Sequence, residues 1–213
     1  VHRIADPDWP ISDLIAAPAD QTLTEGQNDP QSIGQPHPGI ALPTQLLGEQ
    51  RANSDGLDLS DERVLGALSQ TLQATEPAQS AQIGDAITNP ANIRQIIGHV
   101  NETTPEQIQQ ALAAAALAQP GWNQTAVAQR AQMLDAAAAL YQQQMLPLMA
   151  LLMREAGKTA ANAVSEVREA IDFLRYYAAQ LRRQDAAGLL APGIGPVVCI
   201  SPWNFPLAIF TGQ

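Results

Sequence analysis

Asn204 lies in the run Ile200-Ser201-Pro202-Trp203-Asn204-Phe205-Pro206, closely bracketed by prolines. A side-chain amide held rigidly there can donate to an oxygen that becomes negative during acyl or aldehyde chemistry, a contribution worth about 2.7–4 kcal/mol. The same residue type also closes turns. Glu169, Asp172, Phe173 and Tyr176 recur at i, i+3, i+4 and i+7 and so share a helical face. Paired carboxylates on such a face can bind an ammonium group or move a proton, or can pair with Arg168 and Arg175 at a solvated surface. Cys199 is the one cysteine. The apolar run around it places it inside a buried strand with no histidine nearby, so an inert thiol is expected rather than a nucleophile. His2, His37 and His99 show no metal-ligand spacing, and no metal is assigned. Gly193-Ile194-Gly195 precedes that strand, whereas phosphate-cradling glycines follow one.

The elements that must position these groups are legible from period and punctuation. Pro196 to Ile200 reads as a buried strand that ends where Pro202 and Pro206 deny a ladder its donors. Leu207 to Phe210 then begins a helix, and ligands sit at such strand-to-helix crossings in open α/β sheets. Ala160 to about Arg183 is an amphipathic helix: Val164, Val167, Ile171, Leu174, Ala178 and Leu181 form its stripe, leaving Glu166, Arg168, Glu169, Asp172 and Arg175 elsewhere on the cylinder. A helix from near Pro147 closes at Gly157, with Leu148, Leu151 and Leu152 inward. Thr125 opens another, with Val127, Ala131, Leu134 and Tyr141 buried. Thr104-Pro105-Glu106-Gln107 is a capping box, and its helix should stop at Pro120-Gly121. Ala86–Pro90 and Gln95–Val100 suggest two short strands around a turn. Upstream, Ser60 should cap a helix with Val64, Leu65, Leu68 and Leu72 on one stripe. Asp20 to Ser54 reads as a loop, and the prolines of Val1 to Pro18 forbid a long helix.

Charge divides the chain unevenly. Residues 1–85 carry thirteen acidic and three basic side chains, while residues 86–213 carry eight of each. An acidic, aromatic-poor leading segment offers no basic patch for phosphates, which argues against nucleic-acid binding. The single cysteine excludes an internal disulfide and fits a cytoplasmic setting. No apolar run approaches the ~20 residues needed to span a bilayer, and Val1 does not begin a signal peptide. The absent initiator methionine and the stop at Gln213 read as a fragment.

Val197-Val198-Cys199-Ile200-Ser201-Pro202-Trp203-Asn204-Phe205-Pro206 resembles the strand and turn ending in P-W-N-F-P of the aldehyde dehydrogenase superfamily, and Arg154-Glu155-Ala156-Gly157-Lys158-Thr159 resembles its L-E-x-G-K motif. More narrowly, R-E-A-G-K-T, E-V-R-E-A-I-D-F-L-R-Y-Y-A and C-I-S-P-W-N-F-P-L-A-I-F-T-G-Q resemble the bacterial proline utilization A family, whose members join a flavin-dependent proline dehydrogenase barrel to an aldehyde dehydrogenase module. The I-A-D-P-D-W-P-I-S-D-L-I stretch and N-S-D-G-L-D-L look like the passage between the modules.

The resemblance implies an α/β fold, predominantly helical here and ending at the first strands of a Rossmann-like NAD-binding sheet. Residues 1–85 would be an acidic linker and the end of the proline dehydrogenase module, and residues 86–213 the first part of the aldehyde dehydrogenase domain. Asn204 would be the catalytic, oxyanion-stabilising residue. Ile200, Ser201, Pro202 and Trp203 would line the NAD site, while Glu169 and Phe205 would bind substrate. FAD would belong to the parent outside this chain. The family's nucleophilic cysteine, general base and cofactor-binding lysine lie downstream of P-W-N-F-P, so this stretch alone is expected to be inactive. The parent would oxidise proline and then glutamate γ-semialdehyde, as a cytoplasmic homo-oligomer, with attachment at the inner membrane left open. Another aldehyde dehydrogenase, or a non-enzymatic helical interaction module, are the alternatives.

Overall fold

Proline spacing leaves the leading residues little regular structure. In the computed structural model, which describes residues 7–17, 35–37, 39–48, 50–74 and 84–213, they form helix α1 (Ile11–Leu14) and a 3-10 turn at Pro43–Gln45. Helix α2 (Glu62–Ala74) follows, then strands β1 (Asp85–Asn89) and β2 (Asn92–Val100). The remainder is helical: α3 (Pro105–Gln124), α4 (Val127–Gln143), α5 (Met145–Glu155), α6 (Ala160–Ala186) and α7 (Ala208–Gly212). The chain divides into two compact units, Val1–Leu42 and Pro43–Gln213. His2, most of the expected loop, and the lapse after residue 74 lie outside the described residues.

The three-and-four stripe organises the core. Val164, Val167, Ile171, Leu174 and Ala178 of α6 are buried, as expected, and the first four pack with Ala138 of α4, Met145, Met149 and Leu152 of α5, and Leu68 of α2. Ala131, Ala138 and Ala163 are fully buried, and side chains this small let neighbouring elements pack closely. In α5 the inward side is set by Met145, Met149, Ala150 and Leu152, whereas Leu151 is 44% exposed. In α2 the expected stripe also narrows, because Leu65 is 42% exposed.

Caps follow local chemistry, with two corrections. Thr104 Oγ1 accepts from Gln107 N–H while Gln107 Oε1 accepts from Thr104 N–H, which is the expected capping box. However, α3 runs through Pro120 to Gln124, and in its last turn Asn123 Oδ1 accepts from Gly193 N–H at 3.0 Å. At α2 the cap is Asp61, which accepts from Arg63 N–H at 2.8 Å. Ser60 instead donates its hydroxyl and amide to Asp58 and holds that carboxyl below the usual carboxylate range. The two expected strands form an antiparallel hairpin, with bulges near Thr88.

Gly157, between α5 and α6, has φ +65°, and a Cβ there would lie 3.0 Å from Pro90 Cγ. A left-handed residue with a side chain costs about 1–2 kcal/mol before any clash is counted. Gly157→Ala is therefore expected to lower the urea-unfolding midpoint by at least that equivalent, and an unchanged midpoint would contradict this role for the turn.

Candidate functional site

The turn after α5 sends Lys158 back across the molecule before Thr159 caps α6 by accepting from Asn162 N–H at 3.2 Å. Two turns into α6 stands Glu166. The pattern places it on the polar surface, but it is 2% exposed, flanked by buried Ala163, Val167 and Ala170. Its Oε1 accepts from Leu207 N–H at 2.9 Å and from Ala208 N–H at 3.4 Å, at the start of α7. Its buried Oε2 makes a close ionic contact of 2.5 Å with Lys158 Nζ rather than a directed hydrogen bond. Lys158 Nζ donates to the Asn204 carbonyl at 2.7 Å and stands 4.7 Å from the centre of the Phe205 ring. A carboxylate survives burial when paired and hydrogen-bonded, and here an ammonium and two helix-terminal amides supply both.

The ion pair therefore grips both sides of the Trp203-to-Leu207 turn. Asn204 itself is exposed, and its side-chain amide has no hydrogen-bond partner among the described residues. That leaves the amide available to an external oxygen.

The segment leading to the turn is not the buried strand expected. Val197, Val198 and Ile200 are 66%, 76% and 85% exposed, Cys199 is exposed, and no ladder forms. A strand needs a neighbour for its amides and carbonyls. Among the described residues the one sheet is the β1–β2 hairpin, which pairs only with itself. Gln213 tethers the segment instead. Ser201 Oγ donates to its Oε1 at 2.8 Å, its Nε2 donates to Ile200 carbonyl at 3.2 Å, and Cys199 Sγ approaches its carbonyl at 3.6 Å.

The expected four-residue face on α6 is split between two neighbours. Asp172 accepts from both Ser54 N–H and Ser54 Oγ at 2.8 Å, with Arg51 at 3.5 Å and over the Tyr176 ring. Arg168 donates to Ser54 Oγ at 3.2 Å and Arg175 to Asn53 carbonyl at 2.6 Å. Residues 51–57 thus form a strap over one side of α6, so Asp172 and both arginines hold structure rather than a solvated face. Phe173 turns to the other side, where Gly212 of α7 packs against its ring. Glu169 lies between Glu166 and Phe173 on that side. It is exposed and makes no ion pair among the described residues.

A cleft of about 280 Å³ opens beside the turn, lined by Leu148, Leu151, Leu152, Trp203, Pro206 and Leu207, with Glu155 as its charged lining group. Trp203 is 89% exposed, and with Ile200, Ser201 and Pro202 it presents an open ledge of apolar side chains and backbone. That chemistry fits the face of a nicotinamide ring. No cation among the four fits a diphosphate, and no residue here is assigned to a flavin. Among the described residues no cluster of His, Cys, Asp and Glu could hold a metal ion, and no helix is long and apolar enough to cross a membrane.

Comparison with known proteins places these residues in context. Residues 77–213 match the model of the aldehyde dehydrogenase family. The chain is similar over its whole length to the bifunctional protein PutA of Escherichia coli (strain K12), with 46% identity. It spans 17% of that relative, so it corresponds to a small part of it. Over 58% of its length it is 38% identical to 1-pyrroline-5-carboxylate dehydrogenase of Geobacillus sp. (strain WCH70), covering 26% of that protein. Among solved structures, a variant of Bradyrhizobium japonicum proline utilization A superposes with TM-score 0.66 at 34% identity, covering 100% of this chain and 20% of that one. The mostly helical architecture with its two-stranded antiparallel hairpin is that of the first part of an aldehyde dehydrogenase fold.

Proposed function

This chain belongs to the aldehyde dehydrogenase family, and from that premise we propose that it forms part of a bifunctional proline-catabolic enzyme. Such an enzyme oxidises proline with FAD and then oxidises L-glutamate γ-semialdehyde to glutamate with NAD. Residues 86–213 serve the second reaction as the first part of its dehydrogenase domain, and residues 1–85 link it to the first. The similarity to PutA proteins along the whole chain supports this reading, and one feature of the site carries it: an uncommitted Asn204 amide on a turn whose backbone is clamped.

In the proposed reaction a cysteine from another part of the polypeptide adds to the aldehyde carbon. The carbonyl oxygen becomes negative, and the Asn204 amide donates to it there. Phe205 walls the substrate chain, and the exposed Glu169 carboxylate meets its α-ammonium group. Ile200, Ser201, Pro202 and Trp203 would hold the nicotinamide portion of NAD. NAD supplies the hydride acceptor, and water then releases the acid.

Glu169 gives a discriminating test. A charge-assisted contact to substrate is worth roughly tenfold in affinity. Glu169→Ala in the complete polypeptide should raise KM for the semialdehyde about that much and leave KM for a simple aliphatic aldehyde unchanged. Equal behaviour toward both aldehydes would remove Glu169 from the site. Absence of NAD reduction with the semialdehyde by the unsubstituted polypeptide would overturn the functional reading.

A further inference from the structure

The Asn204 amide has no hydrogen bond of its own, so its direction is inherited from the backbone that carries it. That backbone is held at two places. Lys158 fixes the Asn204 carbonyl, and Glu166 fixes the amides of Leu207 and Ala208. The two holding groups are in contact with each other, and their side chains are 15% and 1% exposed. An ammonium has three protons. Here Nζ meets the Asn204 carbonyl, the Glu166 carboxylate and the face of the Phe205 ring. One buried, charge-balanced pair therefore sets both the residue assigned to the oxyanion and the one assigned to the substrate wall.

We infer that Lys158 and Glu166 are positioning residues for Asn204, acting through the backbone on either side of it. This rests on the reading of Asn204 as the oxyanion donor. Among the described residues the segment before the turn forms no ladder and is tethered by Gln213 at Ile200 and Ser201. Helix α7 is too short to supply rigidity by itself. With the pair gone, the turn keeps its sequence but loses its fixed height above α6. A donor misplaced by about 1 Å costs on the order of a hundredfold in rate.

The test uses the complete polypeptide and reads semialdehyde oxidation. Lys158→Met is expected to lower kcat by about tenfold to a hundredfold, with KM for NAD nearly unchanged. Lys158→Arg, which keeps a cation at that place, should recover most of the loss. Asn204→Ala lowers kcat on its own, and adding Lys158→Met to it should produce little further loss, because both changes remove the same contribution. If Lys158→Met alone does not fold, the pair Lys158→Met with Glu166→Gln replaces it in the cycle. That pair removes both charges and keeps an acceptor for the α7 amides. An unaffected Asn204→Ala enzyme would overturn the assignment of Asn204. A damaged Asn204→Ala enzyme, with Lys158→Met either harmless or fully multiplicative, would overturn the positioning role alone.

Discussion

Glu166→Ala is expected to cost about 3–5 kcal/mol of folding stability, the range for removing one partner of a buried ion pair. The substitution strands three groups at once. Lys158 loses its counter-charge, and the first amides of α7 lose their acceptor. Its buried neighbours on α6, Ala163, Val167 and Ala170, offer no acceptor in its place. Glu166→Gln keeps Oε1 and should cost less, so the two variants separate the hydrogen bonds from the charge. The measurement is the equilibrium urea-unfolding midpoint, with hydrogen exchange at Leu207 and Ala208 as the local readout. A Glu166→Ala protein as stable as the parent would show that the pair is not needed for folding.

Asn204→Ala should act in the opposite domain, on rate and not on fold. The side chain is exposed and bonded to nothing among the described residues, so its removal should leave the unfolding midpoint unchanged within about 0.5 kcal/mol. Loss of one oxyanion donor costs about a hundredfold to a thousandfold in kcat, or 2.7–4 kcal/mol of barrier. Single-turnover hydride transfer in the complete polypeptide measures the chemical step directly. A variant with full single-turnover rate would return Asn204 to the ordinary role of a turn residue.

The parts of this structure that were legible in the sequence are those governed by near neighbours. The capping box at Thr104 to Gln107 needs only four residues, and the stripe from Val164 to Ala178 needs only one helix. The hairpin likewise follows from two short apolar runs and the turn residues between them. What the sequence concealed depends on partners far along the chain. Glu166 looks like any polar residue until Lys158 and the amides forty residues later surround it. Val197 to Ile200 has the composition of a strand, but pairing belongs to two segments, and no segment among the described residues lies beside it in a ladder. In the same way the Glu169 to Tyr176 face is one face by spacing, yet Ser54 and Gly212 divide it. Ile200 to Phe205 stand out in the sequence as candidate site residues because they are contiguous. Their support does not, because it comes from Lys158, in the turn between α5 and α6, and from Glu166 within α6.

The strap at residues 51–57 has a practical consequence for anyone recombining such proteins. Its Ser54 side chain, 1% exposed, satisfies Asp172 in the middle of the helix that also carries Glu166 and Glu169. A chimera joined at residue 85, where charge changes along the sequence, would separate Asp172, Arg168 and Arg175 from the backbone and hydroxyl groups that they hold. A crossover upstream of Pro43 would carry the strap and its helix together as one heritable module.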